Sequence, residues 1–373
     1  MFRLSNLIKS TLQEQKSRSL DGSIIIWNMT NRCNLLCHHC YSKASANEKE
    51  SLSLEDILKT IPKLKIANIN FVIFSGGEPL LRKDIFEIAQ SMKDNKIMTY
   101  LSTNGTYITQ KNAQKIIDTF NYIGISIDGI GEVHDYFRGQ KGSYDKSIEA
   151  IKTIQKLGGN AGIRFTITKE TESSFYDIFT LAEELNVNKI YISHLVYSGR
   201  GKENLEIDIS KEKRKEYVSF MINKAFEYYE NGKDIDIVTG NMEMDAIMLL
   251  KEFEKKYPDF VNSLKNRLKS WGGNSAGKRL GNMDWNGFVK PDPFFPMTIG
   301  NYLEKDFDKI WLDDNNELLK KLREFPRNIK GKCSSCKYID ICNGGSRSRA
   351  YAISGDLWDE DPSCYLTLEE IKG

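Results

Sequence analysis

The sequence has few histidines, few prolines and no long apolar run. Its 373 residues include only four histidines, the last at position 194, and eight prolines. No apolar stretch approaches the roughly 20 residues of a transmembrane helix. The amphipathic N-terminus lacks the apolar core and cleavage site of a signal peptide. We therefore expect a cytoplasmic protein with no membrane partner.

An excess of charge of one sign is lacking too. Lys and Arg total 53 and Asp and Glu total 51, which gives a formal net charge of +2. A balance this close excludes a bulk electrostatic attraction to nucleic acid, so no nucleic-acid partner is expected. The composition is 40% hydrophobic and 28% charged. It indicates one large globular domain, or one with an appendage.

Cysteine is present in two groups, seven residues in all. In a reducing compartment such a set indicates metal or redox use rather than disulfides. Thiolates are natural ligands of iron–sulfur clusters: three leave one iron open, whereas four close the cluster. A zinc site is the alternative for either group, and unrelated core cysteines are a further alternative for the first. The groups are a CxxxCxxC pattern of Cys33, Cys37 and Cys40, and a C-terminal set of Cys333, Cys336, Cys342 and Cys364.

Six apolar segments alternate with amphipathic ones between residues 23 and 195. The predicted strands are 23–28, 69–74, 97–102, 122–127, 162–168 and 189–195, and the predicted helices are 53–65, 84–94, 109–119, 144–157 and 174–186. Such alternation requires parallel strands joined by right-handed crossovers. We predict an α/β fold, a partial (β/α)6 TIM-type barrel, with its chemistry at the carboxyl ends of the strands.

This alternation stops at about residue 210. Helices are predicted over 210–230, 241–256 and 306–325, and irregular turns with hairpin strands over 271–300. We predict four segments: a helical N-terminal lead-in over 1–22; the barrel over 23–209; a helical connection over 210–270; and a cysteine-rich auxiliary-cluster domain over 271–373.

Polar residues fall at the ends of the predicted strands. After the second strand, the glycines of Gly76-Gly77-Glu78-Pro79 allow a ligand to approach the backbone, and the Glu78 carboxylate can accept hydrogen bonds from an ammonium group. A plain Gly-Gly turn is the alternative. Arg164 lies in the fifth strand, where an internal salt bridge is the alternative. The remaining strand-end candidates are Ser102, Asn104, Ser126, Asp128 and Leu195. His194 fits a packed or hydrogen-bonded side chain better than a ligand.

The CxxxCxxC loop after a strand, followed by Gly-Gly-Glu-Pro, resembles the signature of the radical S-adenosylmethionine (radical SAM) superfamily. The resemblance implies a 4Fe-4S cluster on Cys33, Cys37 and Cys40. Its open iron would chelate S-adenosylmethionine, and one electron would cleave that molecule to a 5′-deoxyadenosyl radical. The implied cofactor-binding residues are His39 and Leu195 at the adenine, Gly76, Gly77 and Glu78 at the amino group, Ser102 and Asn104 at the ribose and methionine, Ser126 and Asp128 at ribose or ammonium groups, and Arg164 at the carboxylate.

The C-terminal cysteines resemble the SPASM-type extension of radical SAM proteins, which carries auxiliary iron–sulfur clusters. Full SPASM domains have seven cysteines and two auxiliary clusters. This region has four cysteines. The resemblance therefore implies one auxiliary 4Fe-4S cluster on Cys333, Cys336, Cys342 and Cys364.

Further segments resemble one branch of the superfamily, the NirJ-like and didecarboxysiroheme-processing proteins of haem d1 and alternative haem biosynthesis. They include Ile24–Leu35, Gly281–Asp292 and Ile341–Ala350. The resemblance implies a tetrapyrrole substrate, a reductant such as flavodoxin or ferredoxin, and cationic partners for the substrate carboxylates. Lys290 departs from the branch, which tends to have histidine there. The candidate cations are Arg200, Arg279, Arg347 and Arg349.

Two alternatives remain at this stage. One is a SPASM peptide maturase that forms thioether or carbon–carbon crosslinks. The short segment before the first strand counts against a peptide-recognition domain there. The other is a non-enzymatic electron-transfer protein with two metal sites, which would leave the Gly76–Pro79 motif unexplained.

Overall fold

The computed structural model describes residues 1–15, 22–49 and 52–372. Its strands form one sheet in the order β1-β8-β7-β6-β5-β4-β3-β2-β9-β10-β11. The strands are β1 (Phe2–Arg3), β2 (Ser23–Thr30), β3 (Ile69–Gly76), β4 (Met98–Thr103), β5 (Tyr122–Ser126), β6 (Ala161–Ile167), β7 (Lys189–His194), β8 (Asp236–Gly240), β9 (Leu280–Met283), β10 (Phe288–Lys290) and β11 (Gly300–Asn301).

Sixteen α-helices lie in the described part of the chain. They are α1 (Leu4–Leu12), α2 (Leu54–Ile66), α3 (Ile85–Asp94), α4 (Ala113–Thr119), α5 (Glu132–Arg138), α6 (Ser143–Lys156), α7 (Asp177–Glu184), α8 (Arg200–Glu203), α9 (Lys211–Glu230), α10 (Asp245–Lys256), α11 (Val261–Trp271), α12 (Phe307–Trp311), α13 (Glu317–Arg323), α14 (Ile339–Cys342), α15 (Arg347–Ser354) and α16 (Leu368–Ile371). None formed by these residues is both long and apolar enough to cross a membrane.

The six predicted parallel strands are confirmed as β2 to β7, each paired with the next. A seventh, β8, continues the parallel series beside β7. It falls in the segment predicted to be a helical connection, where the apolar, β-branched pair Ile237 and Val238 favours a strand. In the described residues β1 and β11 end the sheet without pairing to each other, so the barrel is partial.

The N-terminal lead-in is tied to the barrel. Strand β1 pairs antiparallel with β8, and α1 follows directly as the predicted helix. Residues 16–21, which belong to the same prediction, lie outside the described residues. The C-terminal region joins the opposite edge, since β9 pairs in parallel with β2 and forms the predicted hairpin with β10.

One predicted helix is interrupted. The segment 306–325 forms α12 and α13, with a non-helical stretch between them. That stretch contains Asp313-Asp314-Asn315-Asn316, whose short polar side chains compete for backbone hydrogen bonds and favour caps. Asn316 caps α13 by accepting a hydrogen bond from the Leu319 N–H over 3.1 Å.

The two faces of the sheet differ in chemistry. On one face, residues such as Trp27, Phe74 and Phe165 are almost fully buried in the main apolar core with the surrounding helices. On the other face, Ser75, Ser126 and Arg164 are only partly buried. Because side chains alternate along a strand, the polar face lines the concave side of the barrel. The candidate site lies along its carboxyl-end rim.

Candidate active site and auxiliary cysteine cavity

The loop after β2 brings Cys33, Cys37 and Cys40 together. Cys33 and Cys37 are buried in one small cluster with Leu35 and Ala44, and Cys40 packs against it. The loop is fixed to α5 by backbone hydrogen bonds from Leu36 N–H to Arg138 and from His38 N–H to Phe137, at 3.1 and 3.0 Å. Three thiols therefore meet where a strand ends, as a three-thiolate cluster requires.

Arg200 supports this loop. Its Nε donates to the Cys37 carbonyl over 2.7 Å and its Nη1 to the Ala44 carbonyl over 3.2 Å. Its backbone N–H donates to the Cys40 carbonyl over 2.9 Å. The hypothesis that Arg200 binds a substrate carboxylate is therefore wrong for this conformation, because the guanidinium is occupied by the cysteine loop.

Arg138 was not predicted and stands at the centre of the site. Its Nη1 donates to Cys37 Sγ over 3.5 Å, and its Nη2 forms an ion pair with Asp128 Oδ2. Burial alone would lower the pKa of Arg138, but the charges of Asp128 and Cys37 outweigh it and raise the pKa. The guanidinium is thus a permanent cation beside a thiol of the cysteine loop. No sequence signal identified it, because the short α5 was not predicted.

Asp128 is completely buried and its charge is paired within the protein. Its Oδ1 accepts a hydrogen bond from the Thr166 N–H over 2.6 Å, and Oδ2 pairs with Arg138. Burial raises the pKa of Asp128, but Arg138 and His39 outweigh this effect and hold it below its usual range. Asp128 therefore positions Arg138 and does not offer an open carboxylate to ribose or ammonium groups, contrary to the prediction.

His39 stacks on Phe137, with ring centroids 4.7 Å apart and planes inclined by 3°. Burial lowers the pKa of His39 to about 4, so the imidazole is neutral near pH 7. Its Nδ1 has no hydrogen-bond partner in the described structure. Leu195, at the end of β7, is buried in a cluster with Phe137. The structure thus joins His39 and Leu195, the two predicted adenine contacts, through Phe137.

The glycine motif serves a close backbone approach. A Cβ on Gly76 would lie 2.2 Å from the Thr30 carbonyl oxygen, and one on Gly77 would lie 2.1 Å from that of Arg32. The Gly77 and Glu78 N–H groups donate to these two carbonyls over 2.8 Å. The glycines therefore let the end of β3 pack against the end of β2, where the cysteine loop begins. The predicted ligand contact stays a prediction.

Glu78 organises the end of β4. It accepts hydrogen bonds from Thr103 Oγ1 and the Asn104 N–H, at 2.7 and 2.8 Å, and from the Leu80 N–H at 3.1 Å. The side chain is 0% exposed. Burial raises the pKa of Glu78 against these bonds. The predicted ammonium acceptor is therefore an internal hydrogen-bond acceptor.

Asn104 and Ser102 end up in different surroundings. Asn104 donates to Asn34 Oδ1 over 3.0 Å and accepts from the N–H and the hydroxyl of Thr106, so it ties the cysteine loop to β4. Ser102 lies opposite Gly124 in the β4–β5 pairing and is partly exposed. Of these two residues, only Ser102 has a side chain that is still partly exposed and can contact a ligand.

Arg164 lies on the concave face of the barrel, and strand pairing sets this orientation. It is opposite Ser126 in β5 and Tyr191 in β7. Its guanidinium carbon is 4.5 Å from the centre of the Tyr191 ring. A Cβ on Gly124 would lie 2.8 Å from Arg164 Cδ, so this glycine makes room for the side chain. Among the described residues the guanidinium forms no ion pair, and the alternative of an internal salt bridge is wrong.

The four C-terminal cysteines line one cavity of about 20 Å³, called here the auxiliary cavity. Apolar side chains such as Met244 and Ile247 complete it, together with Lys332 and Asp361. In residues 1–15, 22–49 and 52–372, no three or more His, Cys, Asp or Glu side chains are placed to hold a single metal ion. The four cysteines instead line one shared cavity. A four-iron cluster with one thiolate per iron needs its four ligands around one site in this way.

The other candidate carboxylate partners are engaged elsewhere. Arg347 and Arg349 are completely buried, so neither is open to a substrate. Arg349 forms a two-point ion pair with Asp361 and donates to the Leu195 carbonyl over 3.2 Å. Arg279 is exposed and donates to the Trp271 carbonyl over 2.7 Å. The predictions for Arg347 and Arg349 are wrong, because burial with internal partners cannot be read from their spacing.

Most residues of the candidate active site lie in a part of the chain that is similar to a known protein family. A model of the Radical SAM superfamily matches residues 27–182, which include the cysteine loop, Gly76–Pro79 and Arg164. The chain belongs to the radical SAM superfamily and is an enzyme of that family. The family uses a 4Fe-4S cluster and S-adenosylmethionine, as the resemblance implied.

The similarity to individual relatives extends along nearly the whole chain. Pre-heme d1 synthase of Dinoroseobacter shibae is 36% identical, over 99% of this chain and 93% of its own length. Fe-coproporphyrin III synthase of Methanosarcina barkeri is 37% identical, over 93% and 89%. A crystal structure of Streptococcus suis SuiB bound to precursor peptide SuiA has a TM-score of 0.73 at 17% identity, over 93% of this chain and 76% of that one. The similarity to SuiB concerns the fold alone. The two haem-related relatives confirm the predicted NirJ-like resemblance.

Proposed function

We propose that this enzyme uses a radical from S-adenosylmethionine to remove or shorten carboxylate-bearing side chains of a tetrapyrrole such as didecarboxysiroheme. The observation that carries the proposal is the similarity, over nearly the full chain, to two relatives named for haem d1 and coproporphyrin synthesis. These names support a role in haem d1 or haem biosynthesis.

The residues on the barrel rim fit the cofactors that the family requires. When bound, the cluster on Cys33, Cys37 and Cys40 supplies the electron that cleaves S-adenosylmethionine to the deoxyadenosyl radical. Arg138 sets a cation against Cys37 and favours its thiolate form. A buried thiol without such help resists deprotonation, and burial does raise the pKa of Cys37.

We assign S-adenosylmethionine to the concave face next to this loop. Arg164 is the partner for its carboxylate, because the guanidinium has no competing ion pair and can make a bidentate contact. Ser102 and Ser126 remain as partners for its hydroxyl groups. We assign His39 and Leu195 to the adenine. Both side chains pack against Phe137, which holds them close together. Glu78, Asp128 and Asn104 act indirectly, by holding these elements in place.

Removal of a hydrogen atom from a side-chain carbon would leave a carbon radical on the tetrapyrrole. If that radical lies on the second carbon from the carboxylate, the C–C bond to the carboxylate breaks, carbon dioxide leaves and a C=C bond forms in the side chain. One electron remains, which an acceptor must take. Cys333, Cys336, Cys342 and Cys364 would hold one auxiliary 4Fe-4S cluster, and that cluster would supply the electron acceptor. The chain's own contribution is to exclude water and hold the reacting carbon close to the cofactor. A flavodoxin or ferredoxin is the proposed donor to the first cluster.

Lys290 stands where members of this branch tend to have histidine. It lies on β10, with Nζ 3.5 Å from Asp284 Oδ2 and its side chain 24% exposed. A lysine at this position can pair with a substrate carboxylate but is a poor ligand for the iron of a haem precursor. We infer that a substrate carboxylate can pair with Lys290 in place of Asp284.

One anaerobic incubation tests the proposed function. Reconstituted protein, dithionite, S-adenosylmethionine and didecarboxysiroheme are mixed, and 5′-deoxyadenosine and the tetrapyrrole mass are followed. Deoxyadenosine together with a loss of side-chain mass supports the proposal. Deoxyadenosine with an unchanged tetrapyrrole contradicts this substrate and directs the search to other porphyrinoids or to the peptide-maturase alternative.

A further inference from the structure

Two cations lie against the auxiliary cavity without a carboxylate partner. The first is Lys332, which lines the cavity. Its Nζ donates to the carbonyl oxygens of Cys364 and Leu366, both over 3.1 Å. Carbonyl groups satisfy its hydrogen bonds but leave its charge unbalanced. Lys332 forms no ion pair with any side chain that the structure describes.

The second cation is Arg347, which is 0% exposed. Its guanidinium donates only to backbone carbonyls, those of Gly344, Gly345, Leu357 and Asp359. Gly344 lines the auxiliary cavity, and a Cβ on it would lie 3.2 Å from Arg347 Nη2. A buried charge without a counter-charge is strongly unfavourable, so this position calls for an anion.

The carboxylate that lines the cavity, Asp361, cannot fill that role. Both oxygens of Asp361 are taken by Arg349, through Nε to Oδ1 at 2.9 Å and Nη2 to Oδ2 at 2.7 Å. The backbone N–H groups of Ser346 and Ser363 also donate to them, at 2.8 and 3.0 Å. Arg349 and Asp361 therefore neutralise each other. A further buried carboxylate, Glu243, accepts a hydrogen bond from Asn274 Nδ2 over 3.0 Å and forms no ion pair with the described residues. Arg347 and Lys332 are thus left without an ion-pair partner at the cavity.

We propose that Lys332 and Arg347 are the counter-charges of the auxiliary cluster and hold its reduction potential high enough for it to accept an electron from the substrate. The proposal rests on the auxiliary cluster of the proposed function. A cluster held by four thiolates is anionic, and reduction adds one more negative charge. Nearby cations stabilise the reduced state more than the oxidised state, because net charge sets the potential of such clusters.

The test measures this potential on the full chain. A background with Cys33, Cys37 and Cys40 all changed to Ala retains only the auxiliary site. In that background Lys332→Met removes the charge and Lys332→Arg keeps it. Lys330→Met is the matched control, since this lysine is two residues away, has a 68% exposed side chain and pairs with Asp356. Each protein is titrated anaerobically and the reduced cluster is followed by electron paramagnetic resonance.

We expect Lys332→Met to lower the ratio of reduced to oxidised cluster about tenfold at the wild-type midpoint, a shift of about 59 mV for a one-electron couple. Lys332→Arg and Lys330→Met should keep the wild-type midpoint. An unchanged midpoint in Lys332→Met overturns the proposal, as does an equal shift in Lys332→Arg.

Cluster assembly provides a second criterion. If Lys332→Met fails to retain iron while Lys332→Arg retains it, the charge is needed for assembly and the proposal is supported. Loss of iron in both variants overturns the assignment of Lys332 as a counter-charge. Absence of iron at the four cysteines in the parent background refutes the auxiliary cluster itself. That result is distinct from an unchanged potential.

Discussion

Arg138 Nη1 lies 3.5 Å from Cys37 Sγ, and this contact joins the helix after β5 to the cysteine loop after β2. The other end of the guanidinium is paired with the buried Asp128. A side chain that the cysteine pattern does not reveal thus connects the cluster-binding loop with the strand ends.

Replacing Arg138 by Met should weaken both the fold and the cluster. It leaves Asp128 as a buried unpaired charge, which costs about 3–5 kcal/mol of the free energy of unfolding. The measurements are urea unfolding and iron content after reconstitution. The double variant Arg138→Met with Asp128→Asn should recover most of the stability but not S-adenosylmethionine cleavage. Wild-type stability and cleavage in the single variant would contradict the assigned contact.

The two cysteine groups should have separable effects. Replacing Cys33, Cys37 or Cys40 by Ala should abolish cleavage of S-adenosylmethionine, because the open-iron cluster loses a ligand. Replacing Cys364 by Ala should retain some 5′-deoxyadenosine formation but lose the tetrapyrrole product. Chromatography of both products checks each variant. Full turnover by a variant of either group would refute the assignment of that group.

Gly77→Ala should remove S-adenosylmethionine binding through a steric clash. The added Cβ would lie 2.1 Å from the Arg32 carbonyl oxygen and push β3 away from the cysteine loop. Overpacking of this kind costs about 1–3 kcal/mol of stability. Gly158→Ala is the control, because its Cβ would meet nothing within 4 Å, although its φ is +76°. Equilibrium dialysis should show lost binding in the first variant and normal binding in the second.

Stability should decrease between pH 5 and 8 because of Asp292. Burial raises the pKa of Asp292 from 3.8 to about 6, with a backbone hydrogen bond from Phe294 opposing the shift. The folded state therefore binds this proton more tightly than the unfolded state, and stability is lost as the pH rises through 6. From pH 5 to 8 the loss is about 1.4 kcal/mol.

Asp292→Asn tests this dependence, because Asn keeps the acceptor oxygen and does not titrate. Relative to wild type, the variant should gain about 1.4 kcal/mol in free energy of unfolding from pH 5 to 8. Urea unfolding at both pH values measures the difference. Parallel pH profiles for the two proteins would rule out a raised pKa at Asp292.

The sequence predicted the parallel strands because each is a compact apolar run, such as Ile69–Phe74, buried on at least one face. Strand-end placement also identified the positions of Glu78 and Asp128. Their partners could not be predicted, since those depend on Thr103, Asn104 and Arg138 arriving from other elements. Helix α5 has only seven residues, too few to show a reliable helical period.

The burial of Arg347 and Arg349 could not be predicted from the sequence either. Cations are usually exposed, which made Arg347 and Arg349 reasonable partners for a carboxylate-rich substrate. Their burial results from tertiary packing around the auxiliary cavity, with Asp361 and backbone carbonyls as partners. Local sequence gives no indication of that environment. The orientation of Arg164 likewise depends on strand pairing.

Deuterium transfer tests the central claim most directly. A didecarboxysiroheme deuterated in its side-chain methylene groups is incubated anaerobically with the reconstituted enzyme, dithionite and S-adenosylmethionine. Hydrogen abstraction from a side chain predicts that 5′-deoxyadenosine gains deuterium as the tetrapyrrole loses side-chain mass. If the tetrapyrrole is converted while the 5′-deoxyadenosine contains no deuterium, the radical does not attack these side chains and the account is contradicted.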